Sequence, residues 1–261
     1  SQGVGGYSAL DFLVKVRGMG FIDAVRHLTG EGAAYKSEPP PPSIKPPKPF
    51  ALPPKNINND RVYAYLRGRG IDKGTLIACV ADGKLYENTR GNCVFVGYDG
   101  KTPRFACERG TADGSKKDVS GSDKRFSFVL PPINPNKRNL ACFESPIDAL
   151  SDDTIHKING DKWDGYRLSF GGVGSIAVIS FLERNPQIEN VRLCLDNDKA
   201  GKEATDRIIR ELLRDKRFSH LKITVAPPPI GKDYSDTLQA VIQLHKQKSR
   251  SDRSKEAVNF I

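Results

Sequence analysis

Several things this chain lacks narrow the field before any motif is read. It has no apolar run approaching the roughly 20 residues that a membrane-crossing helix requires, and no secretory-type stretch at its amino end. No membrane partner and a cytoplasmic setting are therefore expected. The five cysteines, Cys79, Cys93, Cys107, Cys142 and Cys194, include no CxxC pair, and four sit in apolar, strand-like stretches. Buried reduced thiols are expected, not disulfides or zinc ligands. Histidine is scarce as well. His27, His156, His220 and His245 are scattered without a partner motif, so none is assigned to catalysis.

Basic residues, in contrast, are in excess. Lysine and arginine number 41 against 31 acidic residues, a formal charge of +10. With no strongly amphipathic basic helix in view, that balance favours nucleic acid over a membrane surface as the anionic partner.

The chain opens at Ser1 without methionine, the expectation for a processed piece of a longer protein. Two short helices are predicted between Ser8 and Gly30, the first capped by Ser8. Nine prolines then fall between Ala33 and Lys55, which reads as a semi-extended linker. Helices follow at Asp60–Arg67 and from Asp72 to about Cys79. The period then shifts to two, predicting antiparallel strands at Lys84–Glu87, Asn92–Tyr98, Pro103–Arg109 and Phe126–Leu130. From Asn139 strands and helices alternate. Strands are expected at Leu140–Phe143, Tyr166–Ser169, Val191–Leu195 and Leu221–Ala226. Helices are expected at Pro146–Lys157, Ser175–Arg184, Lys199–Lys216 and Tyr234–Lys246, with the last dozen residues frayed. The fold class is α/β: a mainly parallel sheet flanked by helices, preceded by a smaller α+β subdomain with antiparallel strands. The expected divisions are 1–32, a linker over 33–55, 56–138, 139–246 and a basic tail over 247–261.

Two strand ends carry the chemistry. Leu193-Cys-Leu-Asp196-Asn-Asp198 and Phe143-Glu144-Ser-Pro-Ile-Asp148 are apolar runs that stop in carboxylates just before a helix. In an open α/β sheet such ends meet at one crevice, where converging carboxylates call for a divalent cation. Mg²⁺ or Mn²⁺ suits a site of carboxylates and water. Asp196 and Asp198, two apart in extended backbone, point the same way. Asp198 is equally a cap for the helix that follows. Asp148, three residues after Ser145 and two after Pro146, is equally a capping partner, whereas Glu144 precedes the cap and is not explained by it.

Ser169-Phe-Gly171-Gly172-Val-Gly174 joins a strand to a helix and suits close approach of a phosphate to backbone N–H groups, though a packing turn accounts for it as well. In Gly231-Lys232-Asp233, Asp233 is a further metal-facing candidate or a helix cap, and Lys232 a phosphate contact. Lys199 and Lys202 open the helix after Asp198 and are further candidates. Arg109, Lys116 and Lys117 belong to a basic group around the antiparallel strands, interleaved with Phe105, Phe126 and Phe128, and could follow a nucleic-acid backbone.

Glu144 in a strand–helix turn, the Gly171-Gly172 turn and Asp196-Asn-Asp198 after a third apolar strand together resemble a Toprim domain over Asn139 to Leu244. This is the metal-binding unit of topoisomerases, bacterial primases, OLD-type nucleases and RecR-like proteins. Upstream, Tyr65-Leu-Arg-Gly-Arg-Gly70 resembles the opening of the bacterial DNA primase catalytic core. Asn92–Arg109 is similar to its hairpin, and Lys116–Phe128 to the segment before its Toprim strand. Gly6 to Leu28 resembles the tail that follows the primase zinc ribbon. The layout is similar to Toprim proteins of plasmids and conjugative elements.

The resemblance implies a primase-like nucleotidyltransferase that makes short primers on single-stranded DNA from nucleoside triphosphates. A helicase or relaxase would be its partner, and Zn²⁺ would belong only to a ribbon before Ser1. Asp196, Asp198 and Glu144 would be catalytic and hold Mg²⁺ or Mn²⁺, with Asp148 and Asp233 in support. Arg109, Lys116, Lys117, Gly171, Gly172, Lys199, Lys202 and Lys232 would contact nucleotide or DNA. A Toprim nuclease using the same carboxylates, or a non-catalytic DNA-binding accessory protein of a mobile element, are the alternatives. A topoisomerase is not expected, because there is no room for a strand gate.

Overall fold

The structure, a computed structural model, describes residues 8–29, 49–161, 163–171 and 174–258, with side chains through residue 247. The start of the chain, most of the proline-rich stretch and Gly172 lie outside the described residues. The chain divides into two units, 1–46 and 47–261. In the first, the Ser8 hydroxyl accepts from the Asp11 N–H at 3.2 Å and opens α1 (Ala9–Asp11), which continues as a π-type turn over Phe12–Val16. Helix α2 (Phe21–Thr29) completes its described part.

The second unit begins with proline-rich chain seated on a sheet. Phe50 and Leu52 pack on Tyr86, Val94, Val96 and Ala106, and the Tyr86 hydroxyl donates to the Pro53 carbonyl at 2.7 Å. Residues 49–55, read as linker, are thus part of this unit's packing. Helices α3 (Asp60–Gly68) and α4 (Lys73–Ala81) follow. The Asp72 carboxylate caps α4 by accepting from the Thr75 N–H at 2.9 Å. Strands β1 (Leu85–Glu87), β2 (Cys93–Asp99), β3 (Thr102–Arg109) and β4 (Lys116–Asp118) make an antiparallel sheet in that order. Val62, Leu66, Leu76 and Cys79 cover one face, against Leu85, Phe95, Phe105 and Cys107. With Phe50 and Leu52 on the other face, Cys93 through Gly97 of β2 are buried. Each Phe or Leu so buried contributes about 1.5–3 kcal/mol.

Strand β4 escapes sequence reading because all three of its residues are exposed and show no apolar alternation. The expected strand Phe126–Leu130 is shorter and belongs elsewhere. A 3₁₀ turn occupies Lys124–Phe126, and β5 (Val129–Leu130) pairs antiparallel with β7, as the edge of the second sheet.

That second sheet has the order β5-β7-β6-β8-β9, from β6 (Asn139–Phe143), β7 (Tyr166–Ser169), β8 (Asn190–Leu193) and β9 (Lys222–Val225), all four parallel. Helices α5 (Pro146–Asn159), α6 (Ile176–Arg184), α7 (Lys199–Arg214) and α8 (Tyr234–Val258) connect and follow them. Leu140, Cys142, Leu168 and Leu193 face Val178, Phe181, Ile208 and Leu212 of α6 and α7. Ala141, Phe143 and Cys194 face Ala149 of α5 and Tyr234 of α8. The result is α/β with helices on both faces, as the alternation predicts. All five cysteines are buried and free.

Helix α8 does not fray at Lys246 but runs on to Val258. Nothing between Tyr234 and Val258 is glycine or proline, and lysine, arginine, glutamine and alanine sustain a helix. Among the described residues no helix is long and apolar enough to cross a membrane.

Candidate functional site

The crossover order of the second sheet brings the ends of β6 and β8 side by side, so Glu144 and Asp196 emerge as neighbours. The Glu144 Oε1 accepts from the Asp196 N–H at 3.2 Å. Both carboxyls are held above their usual pKa range, by burial first and then by negative neighbours, Asp196 at Glu144 and Asp233 at Asp196. A site that raises two carboxyls in this way is short of positive charge.

The adjoining helix starts complete the constellation. The Ser145 hydroxyl accepts from the Asp148 N–H at 3.4 Å and donates to Asp148 Oδ2 at 2.6 Å, with Pro146 in the first turn of α5. Asp148 is only 5% exposed. Burial pushes its pKa to about 7, against the Ser145 hydrogen bond and helped by Asp233 and Asp196. The Asp198 Oδ1 accepts from the Gly201 N–H at 2.9 Å and caps α7. That bond, with Lys232, holds the Asp198 carboxyl below its usual range. Lys232 Nζ stands 3.1 Å from Asp198 Oδ2 and 3.7 Å from Asp196 Oδ2. Asp233 caps α8, accepting from the Asp236 N–H at 2.8 Å.

Glycine is required at 201. A Cβ there would lie 2.1 Å from the Asp196 carbonyl oxygen and 2.9 Å from Glu144 Oε1. Only a bare backbone lets the first turn of α7 come this close to both strand ends. Gly171 is similar: at φ +60°, its added Cβ would meet the Phe105 ring at 2.6 Å.

Glu144, Ser145, Asp148, Gly171 and Asp196 line one side of a cleft of about 380 Å³, and Glu108, Arg109, Lys116, Lys117 and Asp118 line the other. The register of β3 on β4 sets Glu108 opposite Lys117 and Arg109 opposite Lys116. Arg109 is oriented by the Tyr65 hydroxyl, to which its Nε donates at 3.2 Å, and by the Gly114 carbonyl at 3.1 Å. Lys117 pairs with Glu108 at 3.0 Å.

Other expected contacts fall elsewhere. Lys199 and Lys202 are not among the residues lining this cleft. Lys199 is 91% exposed beside Glu203, and Lys202 borders a second groove, with Asp206 and Val225, that shares Asp196 with this cleft. Gly172 lies outside the described residues.

Sequence reading passed over Glu108 and Asp118, and it placed Lys124 only in the basic group around the antiparallel strands. Lys124 donates to the Gly171 carbonyl at 2.9 Å and pairs with Asp118 at 2.8 Å, tying the glycine turn to β4. In β3 Glu108 is out of phase with Phe105 and Cys107 and shares the face of Arg104 and Ala106, so the alternation gives no signal of its burial. In Tyr65-Leu-Arg-Gly-Arg-Gly70 the arginines are structural. Arg67 donates to the Ile71 carbonyl at 2.9 Å, Arg69 donates to the Ser235 hydroxyl at 3.2 Å, and the Gln239 amide donates to the Arg69 carbonyl, joining α3 to α8.

Among the described residues no group of three or more His, Cys, Asp or Glu side chains is drawn together tightly enough to enclose an ion. The donor set nevertheless fits a hard cation held by one or two carboxylates and water. It is all oxygen, it raises the pKa of Glu144 and Asp196, and the cation it gathers is an ammonium lying across Asp196 and Asp198.

Residues 141–238 match the family described as Toprim-like, and this stretch of the chain is a Toprim-like domain. Residues 64–134 match a family described as a protein of unknown function (DUF3991). An uncharacterized protein of Bacillus anthracis is 26% identical over 219 residues, 75% of this chain and 61% of that protein, so the chain spans about three-fifths of that relative's length. The primase fragment of the bacteriophage T7 primase-helicase protein is similar with a TM-score of 0.49 and 19% identity, covering 80% of this chain and 82% of that one. The Aquifex aeolicus primase, as its zinc-binding and RNA polymerase domains, is similar with a TM-score of 0.45 and 13% identity, covering 92% and 69%.

Proposed function

We propose that the chain is a primase-like nucleotidyltransferase, joining nucleoside triphosphates into short oligonucleotides on single-stranded DNA. The observation that carries this reading is the two-sided cleft, with Glu144 and Asp196 on one wall and Arg109, Lys116 and Lys117 on the other. Carboxylates on one wall, with Arg109 and Lys116 beside the Lys117–Glu108 pair and Asp118 on the other, suit a polyanion that reacts at a phosphate.

Asp196 and Asp198 would hold Mg²⁺ or Mn²⁺ together with Glu144, with Asp148 and Asp233 as supporting charges. Bound there, the cation would polarise the α-phosphate and offset charge on the leaving pyrophosphate. As the alternative to holding the cation, Glu144, whose pKa is raised by burial and by Asp196, would take the proton from the attacking 3′-hydroxyl at a carboxylate oxygen. Arg109, held by Tyr65 and Gly114, would present a guanidinium to a phosphate as a fixed fork, whereas Lys116 and Lys117 would act as point charges. Gly171 would admit the chain of phosphates close to the backbone.

The test is one gel, with labelled nucleoside triphosphates, end-labelled single-stranded DNA and Mn²⁺ or Mg²⁺, comparing wild type with Asp198→Ala. Short products from wild type alone support the reading. Shortened DNA without synthesis would replace it with a metal-dependent nuclease built on the same carboxylates. Undiminished DNA binding with neither activity, in the chain extended at its amino end, would leave a binding protein.

A further inference from the structure

We propose that Lys232 is a resident counter-cation of the acidic site, and that a divalent cation must displace its ammonium from Asp196 and Asp198 in order to bind. The inference rests on the metal reading above and adds a control on it that lies within the chain.

Lys232 Nζ is 3.1 Å from Asp198 Oδ2 and 3.7 Å from Asp196 Oδ2, so one ammonium spans the two carboxylates read as the metal pair. A hard cation on the same oxygens sits at about 2.1 Å. The lysine nitrogen in its present position would then be a like charge a few ångströms away, with little room for screening water between them. Both cannot occupy the aspartate pair.

The backbone shows which partner would move. The Lys232 carbonyl accepts from the Asn197 N–H at 2.8 Å, tying the loop to the Asp196–Asp198 turn. The Lys232 N–H donates to Asp236 Oδ2 at 2.8 Å, tying it to the start of α8. Gly231, at φ +79°, lets the Asp236 carboxylate pack where a Cβ would lie. The main chain is therefore held on both sides, while the Lys232 side chain is 59% exposed. Displacement needs only a rotation of this solvated side chain, and the ammonium stays tethered beside the site as the metal enters. Without metal, Lys232 neutralises part of the charge of Asp198, Asp196 and Glu144.

The test is a Mn²⁺ titration of the whole chain, without nucleotide or DNA, following the free-ion signal by electron paramagnetic resonance. Lys232→Met, Lys232→Arg and Asp196→Asn are compared with wild type. The side chain is exposed, and a thermal melt of each variant checks that it folds. Lys232→Met is expected to bind Mn²⁺ about tenfold more tightly than wild type, as removal of one nearby positive charge implies. Lys232→Arg keeps the charge and should stay within about twofold. Equal or weaker binding by Lys232→Met, with binding still weakened in Asp196→Asn, overturns the displacement while leaving the metal reading intact. Binding that Asp196→Asn does not weaken overturns the metal reading and this inference together.

Discussion

The Asp152 carboxylate accepts from Arg167 Nε at 2.7 Å, with both side chains sealed from solvent at 2% and 4% exposure. Its other oxygen accepts from Arg192 Nη2 at 2.7 Å. Arg167 on β7 and Arg192 on β8 flank Ala141 of β6 in register, and the small alanine between them leaves room for a carboxylate from α5. Trp163 packs against both guanidiniums, 4.4 and 4.8 Å from its ring centroid. This clamp fixes α5 one turn beyond Asp148. Asp152→Ala would leave the partly exposed Arg192 without its anion and the buried Arg167 with only Asp153, 3.4 Å away, and should cost about 3 kcal/mol. Urea unfolding followed by Trp163, the chain's single tryptophan, measures it. A loss below about 1 kcal/mol would remove the clamp from the account of stability.

Asp148 predicts a pH dependence. Its folded pKa, pushed up to about 7 by burial, lies above the unfolded value. The protonated form is thus favoured in the folded state, and its stabilisation is complete below the unfolded pKa of about 3.9 and lost as pH rises through about 7. In chelator, Asp148→Asn should melt at a higher temperature than wild type at pH 8, with the gap narrowing by pH 5 and closing only below about pH 3.9. A gap that is the same at both pH values would place the Asp148 charge outside this linkage.

Gly201→Ala should disable the site more than the fold. The added methyl meets the Asp196 carbonyl oxygen and Glu144 Oε1, so α7 must withdraw from the strand ends. Overpacking of this kind costs about 1–3 kcal/mol. Mn²⁺ affinity and primer synthesis should fall at least tenfold at temperatures where circular dichroism still reports a folded chain. A variant with native Mn²⁺ affinity would show that the close approach is not needed.

Asp198 has two separable duties. As the cap of α7 it accepts from the Gly201 N–H, so Asp198→Ala should lose about 1 kcal/mol of stability. Asp198→Ser keeps a capping oxygen and should recover most of that loss in a thermal melt. Neither variant should synthesise primers if the carboxylate holds the metal. Activity in the serine variant would reduce Asp198 to a cap.

The basic wall predicts a salt dependence. If Lys116 meets a DNA phosphate, Lys116→Ala should lower the slope of log affinity against log salt for single-stranded DNA by about 0.7. Fluorescence anisotropy across a salt series gives the slope, and an unchanged slope would remove Lys116 from the DNA path.

Much of this architecture is legible in local sequence because its signals are local. Apolar runs ending in Glu144 and Asp196, Ser145-Pro146 ahead of a helical pattern, and Asp198 and Asp233 at cap positions each need only a few neighbouring residues to be recognised. They determine the alternating strands and helices, their starts and the α/β class. Tertiary structure alone decided the rest. Residues 129–130 join the second sheet because the Phe128 carbonyl accepts from the Ser169 N–H and β5 pairs with β7, and no nearby residue announces those partners. Asp152 becomes a clamp only once strand order puts Arg167 and Arg192 on either side of Ala141. Lys232 reaches Asp196 and Asp198 only because β9 lies beside β8 and returns the chain to that edge. Hydrogen-bond caps and periodicity act over one or two turns, whereas the charge on a site is set by whichever groups the topology brings within a few ångströms.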